Sequence, residues 1–500
     1  MPSPDTQARP EAERPRRSVL LIGSEAQPFS KTGGLADVLG ALPPALQRLG
    51  WDATVVLPRY RGVSAGALAE TFPVTVGGYT RDAGFYEAPL DGARAVLVDC
   101  PDLYDRPGLY TVNNADYPDN PRRFAFLVRA ALEWAGRRGA GPSIVHAHDW
   151  QAGLAPVYLQ SLYASHPVLG GTPSVVTIHN VAYQGTFESD WLPRLDLGWE
   201  QFAVDRLEFY GRISFLKGAI NAAQVITTVS RRYAEEIQTP EFGFGFDGVL
   251  RGRAADLVGI LNGIDTTVWD PSTDPFLPAH YAIANLAGKR EAKREVLQRY
   301  GLRVDDAVLE RPLVGMVSRM VDQKGFDLIA AALDELARMQ ISLVVLGTGD
   351  PRYQDMWRAF AARYPDRIGA RIGFDESLAH LIEGGSDIFL MPSRFEPCGL
   401  NQMYSMRYGT VPVVHGVGGL ADTVVDYAPG NTRSTGFVMG AYTPAALVQA
   451  LNRALALYAD RRAWPTLQMA GMQQDFSWDR SAQEYVKIYE RAILGRRAPG

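Results

Sequence analysis

The feature that most constrains this chain is an alternation that runs twice. Short apolar runs bounded by turn residues or charges, at 18–23, 53–58, 93–100, 143–148, 174–180 and 224–230, are separated by longer amphipathic stretches such as LADVLGALPPALQRLG and 122–138. Runs of four to eight apolar residues suit strands buried on both faces, and the intervening helical spacing supplies crossovers, so each series reads as a parallel sheet. The pattern restarts at PLVGMVSRM (312–320) and continues at 341–349, 370–374, 387–393, 411–416 and 435–440. Two such series predict an α/β protein of two Rossmann-like, doubly wound domains facing a cleft. The expected division is a tail at 1–17, a first domain at 18–263, a crossover region at 264–311 and a second domain at 312–475. A C-terminal helix at 476–500 is expected to return to the first domain.

Five hundred residues leave room for two to four such domains. The net charge of −5 offers no bulk attraction to nucleic acid or an anionic membrane, so an anionic ligand must meet a local cluster of base. Two cysteines, Cys100 and Cys398, are too few for a disulfide framework and point to a reducing compartment. No run reaches eighteen apolar residues, and SVLLIG behind the polar first seventeen is too short for a signal sequence. These readings together predict a cytoplasmic protein that binds neither nucleic acid nor membrane.

One internal echo is more specific. Gly33-Gly34-Leu35-Ala36-Asp37 recurs as Gly418-Gly419-Leu420-Ala421-Asp422, each between a strand-like and a helix-like run. Paired glycines let backbone N–H groups approach a ligand, and a helix N-terminus behind them favours an anion, so two such ends suit a diphosphate. Glycines that only turn the chain would look the same. Lys31 stands two residues before the first pair, within reach of whatever anion that loop holds. Arg319 and Lys324 follow a strand in SRMVDQKG, where ligands of open α/β sheets bind, and a forked guanidinium with a nearby ammonium would clamp phosphates. Glu396, in RFEPCG after another strand, would reach the same edge and accept hydrogen bonds from sugar hydroxyls, or else cap a helix. His179, in TIHN, ends a further strand and could bond a sugar or simply sit satisfied in the core.

His146, His148 and Asp149 in HAHDW raise the question of a metal, but no third histidine or cysteine lies nearby, so a hydrogen-bonding role is the expectation and no metal is assigned. GTGDPR at 347–352 departs from the dinucleotide fingerprint, and Walker A, GxSxG and HExxH patterns are missing from the sequence.

Read together, KTGGLADV, HAHDW, HNVAYQGTF, TTVSRRYAEEIQTPEFGFGFDGVL, ILNGID, SRMVDQKG, SRFEPCGLNQMYSMRYGTVPVV and GGLADTV resemble the bacterial glycogen synthases and plant starch synthases, from about residue 18 to about 490. The resemblance implies the GT-B glycosyltransferase architecture. It also implies retaining transfer of glucose from ADP-glucose, the donor substrate, to the non-reducing end of an α-1,4-glucan, with no cofactor. By motif match it places Lys31, Gly33 and Gly34 at the diphosphate and Asp37 on the reaction side. Arg319 and Lys324 would face the leaving ADP, and Glu396 the glucose hydroxyls with Cys398, Gly399 and Leu400. His179 and Asn262 would lie near the 6-hydroxyl, Tyr110 would be a further contact, and Gly418, Gly419 and Leu420 would line the donor pocket. Relatives of wider kinship carry a second glutamate eight residues after the first; here that position is Tyr404, so no second acid is assigned. The implied pathway neighbours are ADP-glucose pyrophosphorylase and a branching enzyme. A UDP-glucose transferase, a glucan-binding scaffold without catalysis and a nucleotide-sugar epimerase are the competing readings.

Overall fold

The structure, a computed structural model, describes residues 17–64, 66–113 and 115–495. All of the expected tail but Arg17, and the last five residues of the expected C-terminal segment, lie outside them. The chain divides into two compact units. Of the described residues, the first holds those up to Val176, Gln184–Gln224 and those from Tyr485 on; the second holds Thr177–Tyr183 and Val225–Glu484.

The main strands of the first unit are β1 (Ser18–Ile22), β2 (Asp52–Pro58), β3 (Ala67–Val76), β4 (Tyr79–Leu90), β5 (Ala93–Asp99) and β6 (Ile144–His148). Their order is β6-β1-β2-β5-β4-β3. β1 lies parallel to both neighbours, with Leu20 opposite Thr54 on one side and Val145 on the other. Helix α1 (Gly34–Arg48) follows β1 and buries Leu35, Val38, Leu39, Leu42 and Leu46, one stripe at helical spacing. Helix α2 (Asn120–Gly136) covers the sheet with Phe124, Leu127, Val128, Ala131 and Leu132. β3 and β4 form an antiparallel hairpin closed by Gly77-Gly78, both at positive φ. The sequence reading passed over this hairpin because β3 is exposed along its first half, so it shows no continuous apolar run.

In the second unit β8 (Val225–Thr228) and β9 (Leu257–Gly259) pair in parallel beside the end of β7 (Ser174–Ile178), where Thr228 Oγ1 donates to Ile178 O at 2.7 Å. Six further strands form an all-parallel sheet: β10 (Leu313–Val317), β11 (Ser342–Gly347), β12 (Ile368–Ile372), β13 (Ile388–Met391), β14 (Val411–His415) and β15 (Phe437–Met439). Their order is β12-β11-β10-β13-β14-β15, the 3-2-1-4-5-6 arrangement of a doubly wound sheet. Its two faces bury different residues. Val314, Met316, Val345 and Leu390 pack into one core, while Leu313, Val344, Leu346 and Phe389 pack into another. Burial on both sides is why these strands read as unbroken apolar runs.

The boundary expected near Gly263 is not where the contacts divide. Helix α3 (Arg231–Glu236), with β8 and β9, groups with the second unit. The charged helix α4 (Ala287–Arg299), expected within the crossover, belongs there too. The expected terminal helix forms as α5 (Trp478–Leu494), and its residues from Tyr485 on belong to the first unit. Among the described residues no helix is long and apolar enough to cross a membrane.

Candidate active site

In the second unit the strand order reverses between β10 and β13, the point where doubly wound sheets bind ligands. Two candidate residues reach one another there. Lys324 ends a short turn after β10, and its Nζ lies 2.5 Å from Glu396 Oε2. The following residue, Gly325, has φ 79 and a Cβ there would stand 2.1 Å from Pro392 O, so the turn presses directly on the segment leaving β13. Glu396 is 5% exposed, and Ser393 Oγ donates to the same carboxylate oxygen at 3.0 Å. A carboxylate held by an ammonium and a hydroxyl keeps its other oxygen available as an acceptor. Arg319 is exposed, its Nη2 donating to Gln323 Oε1 at 3.3 Å, a loose tie that leaves most of its donors for an anion.

The turn after Glu396 is fixed from several sides. Gln402 Nε2 donates to the carbonyls of Cys398 and Gly399, at 3.1 and 3.0 Å, and Leu400 O accepts Met403 and Tyr404 N–H at the start of the helix Asn401–Arg407. Ser230 Oγ donates to Pro397 O at 2.6 Å. Burial pushes the Cys398 thiol up to about 12 against a hydrogen bond from the Asn262 backbone, so it is neutral and no nucleophile. Asn262 is itself buried, and its Oδ1 has no hydrogen-bond partner among the described residues. An orphaned buried acceptor beside this turn fits a ligand hydroxyl. His179, just past β7 in the same unit, is pushed down to about 3 by burial and is a neutral imidazole. Tyr404 stacks flat on Trp269 at 3.8 Å and takes no acid's role.

The second glycine pair corrects the sequence reading. Gly418 N–H donates to Glu236 at 3.0 and 3.1 Å on its two oxygens, Gly419 N–H to Glu396 O and Pro397 O, and Leu420 N–H to Val417 O. These amides are committed within the protein, so the pair does not present them to a diphosphate. Its role is close approach: a Cβ on residue 418 would stand 1.9 Å from Glu396 O, and one on 419 2.0 Å from Cys398 O. Only glycine lets this helix seat against the Glu396 turn. Asp422 in turn accepts Arg231 and Arg232 N–H, at 2.6 and 3.1 Å, which fastens α3 to the same place.

The first pair differs. In the first unit Gly33 and Gly34 are exposed, and a Cβ on either would find nothing within 4 Å. Lys31 Nζ lies 2.6 Å from Asp37 Oδ1. Tyr110 OH lies 2.7 Å from Ser24 Oγ, also at this end of β1. His146 bonds Tyr489 OH at 2.8 Å through Nδ1 and lies against His148, the two rings tilted with centroids 4.1 Å apart. Among the described residues no group of three or more His, Cys, Asp and Glu could hold a metal ion.

Sequence reasoning missed several residues of these surroundings. Glu25 and Glu236 are buried acids whose partners are remote or lie in loops. Phe374 is 88% exposed just past the end of β12. Its position after a strand was the available signal.

Residues 18–252 match the family model described as starch synthase catalytic domain, and 303–466 the model described as glycosyl transferases group 1. A glycogen synthase of Anaeromyxobacter dehalogenans (strain 2CP-C) is 50% identical over 473 residues, covering 94% of this chain and 98% of that protein. The chain belongs to the glycogen synthase family. A glycogen synthase of Koribacter versatilis (strain Ellin345) is 46% identical over 95% of this chain and 98% of its own length. The catalytic domain of Arabidopsis thaliana starch synthase IV, solved with ADP and acarbose, superposes with a TM-score of 0.87 at 33% identity over 96% of this chain and 99% of that one. The two doubly wound domains are therefore those of a GT-B glycosyltransferase, and this glycogen synthase family member carries the Lys324–Glu396 pair at the switch point of the second.

Proposed function

We propose that this glucosyltransferase takes glucose from ADP-glucose and adds it to the non-reducing end of an α-1,4-glucan with retention of configuration. The observation that carries the reading is the Lys324–Glu396 pair, a cation and a buried carboxylate side by side where a doubly wound sheet receives its ligand. The difficulty of the reaction is the charge that develops on the leaving diphosphate. Arg319 and Lys324 answer it with fixed positive charge; in the first unit, Lys31 with the open Gly33-Gly34 loop is a group for the donor's phosphates. Glu396, Asn262 Oδ1 and neutral His179 hold the glucosyl hydroxyls. The backbone of Cys398, Gly399 and Leu400 frames the pocket. Phe374 stands two strands from β10, roughly 10 Å at ordinary strand spacing, which suits a nucleobase at the far end of a diphosphate held by Lys324.

In this scheme the bond from glucosyl C1 to the diphosphate oxygen breaks on the face from which the acceptor enters. The acceptor's 4-hydroxyl oxygen bonds C1, and its proton passes to the departing phosphate oxygen. Glu396 is already held by Lys324 and Ser393, so its work is binding rather than attack. No cofactor takes part. In this reading the enzyme works in the cytoplasm, after an ADP-glucose pyrophosphorylase and before a branching enzyme.

The test is turnover of ADP-glucose and UDP-glucose in competition, with the product's new linkage read by NMR and the protein examined by mass spectrometry. An α-linkage formed from ADP-glucose, with no glucosyl adduct, is expected. A trapped adduct on a side chain would overturn the front-face step, and preference for UDP-glucose the donor assignment.

A further inference from the structure

The loop that carries Lys31, Gly33 and Gly34 is held by a side chain that the reaction scheme does not use. Glu25 stands three residues beyond β1 and is 3% exposed. Its carboxylate accepts the Thr32 N–H on Oε2 and the Thr32 hydroxyl on Oε1, the latter at 3.0 Å, and it is hydrogen-bonded by Tyr110 as well. Thr32, by contrast, is exposed, as are its neighbours on both sides. A buried acid therefore grips the backbone of a solvent-facing loop from within.

Burying a carboxylate is costly. Desolvation pushes the pKa of Glu25 up despite the Thr32 bonds, and the nearby Asp37 pushes it the same way. Loops are closed more cheaply by short polar residues of their own. What an ionised glutamate supplies is two acceptors and no donor, so both Thr32 donors turn inward and the outer surface of the loop is left to other groups. That surface is where Lys31 sits and where a Cβ on Gly33 or Gly34 would meet nothing.

We propose that Glu25 is a positioning residue for donor binding: by clasping Thr32 it fixes the backbone between Lys31 and Gly33, and so sets where the ammonium and the open glycine face meet the diphosphate. The proposal rests on the assignment of this loop to the donor made above.

Glu25→Gln keeps one acceptor for the Thr32 N–H but removes the charge and forces the Thr32 hydroxyl to reverse and accept from the amide, so the clasp is weakened. The expected result is a KM for ADP-glucose raised about tenfold, with kcat and the KM for glycogen within about twofold. Thr32→Val, which removes only the hydroxyl, should raise the donor KM about threefold, and Thr32→Ser should recover most of that loss. The threonine pair decides the matter if Glu25→Gln does not fold. ADP binding by calorimetry should weaken in parallel. Wild-type donor KM in Glu25→Gln and Thr32→Val, or a loss shared by kcat and both KM values, would overturn the proposal and make Glu25 a structural group. Wild-type protein that binds no ADP would instead refute the donor assignment on which it rests.

Discussion

The two glycine pairs look alike in sequence and should answer alanine in opposite ways. Gly33 has φ −159, extended backbone open to any residue, and Gly34 opens α1; neither has an atom within 4 Å of a would-be Cβ. Alanine there removes backbone freedom from the unfolded chain and should stabilise by up to about 1 kcal/mol. Gly418 has φ 45, which costs an L-residue roughly 1–2 kcal/mol, and a Cβ 1.9 Å from Glu396 O forces a backbone shift of the overpacking kind, about 1–3 kcal/mol more. For a unit of this size each kcal/mol moves Tm by roughly 2–4 °C, so Gly418→Ala should melt on the order of 5–20 °C below wild type, while Gly33→Ala and Gly34→Ala melt at or slightly above it. Donor KM should rise in the Gly33 and Gly34 variants although they fold well, because the added methyl occupies the face offered to the diphosphate. Melting curves by circular dichroism, paired with ADP-glucose kinetics, read both effects. Equal melting of the Gly33 and Gly418 variants, or wild-type donor KM in Gly33→Ala, would refute the reasoning.

Three further outcomes follow from the same geometry. Lys324→Ala leaves the buried Glu396 carboxylate without its cation, and should lower kcat/KM for ADP-glucose by about a hundredfold or more and stability by roughly 2–4 kcal/mol; turnover within threefold of wild type would contradict this. His179 is neutral when folded but protonates near its ordinary 6.5 when unfolded, so it costs nothing above that value and destabilises increasingly below it, by up to about 2 kcal/mol at pH 5. His179→Gln should therefore lose less Tm between pH 7 and pH 5 than wild type, and an unchanged slope would count against the assignment. Burial pushes the Cys100 and Cys398 thiols up to about 11 and about 12, so a thiol reagent at pH 8 should modify neither until the protein unfolds; rapid native labelling would show that one of these sites opens.

Much of this was legible in the chain because buried parallel strands write themselves as short apolar runs, and residues after such strands fall where ligands bind. Lys324 and Glu396, 72 positions apart, could be paired in advance for that reason. The β3–β4 hairpin escaped because its first strand is half exposed, although Gly77-Gly78 marks its turn. The second glycine pair was misread since spacing reveals a glycine's freedom but not what presses on it; here the carbonyls of Glu396 and Cys398 do. Glu25 and Glu236 carried no periodic signal, because what defines each is burial against a loop or a distant helix end. The division of the chain at 176–184 and 224–225 was likewise unreadable, since it follows the docking of α3 through Asp422 and Glu236 rather than any linker composition.

The most direct test of the central claim is incorporation of labelled glucose into glycogen from ADP-glucose, with UDP-glucose in parallel and Glu396→Ala beside the wild type. Strong incorporation from ADP-glucose, weak incorporation from UDP-glucose and loss of both in the variant are predicted. Well-folded wild-type protein that transfers glucose from neither donor, or a Glu396→Ala variant as active as wild type, would contradict the account.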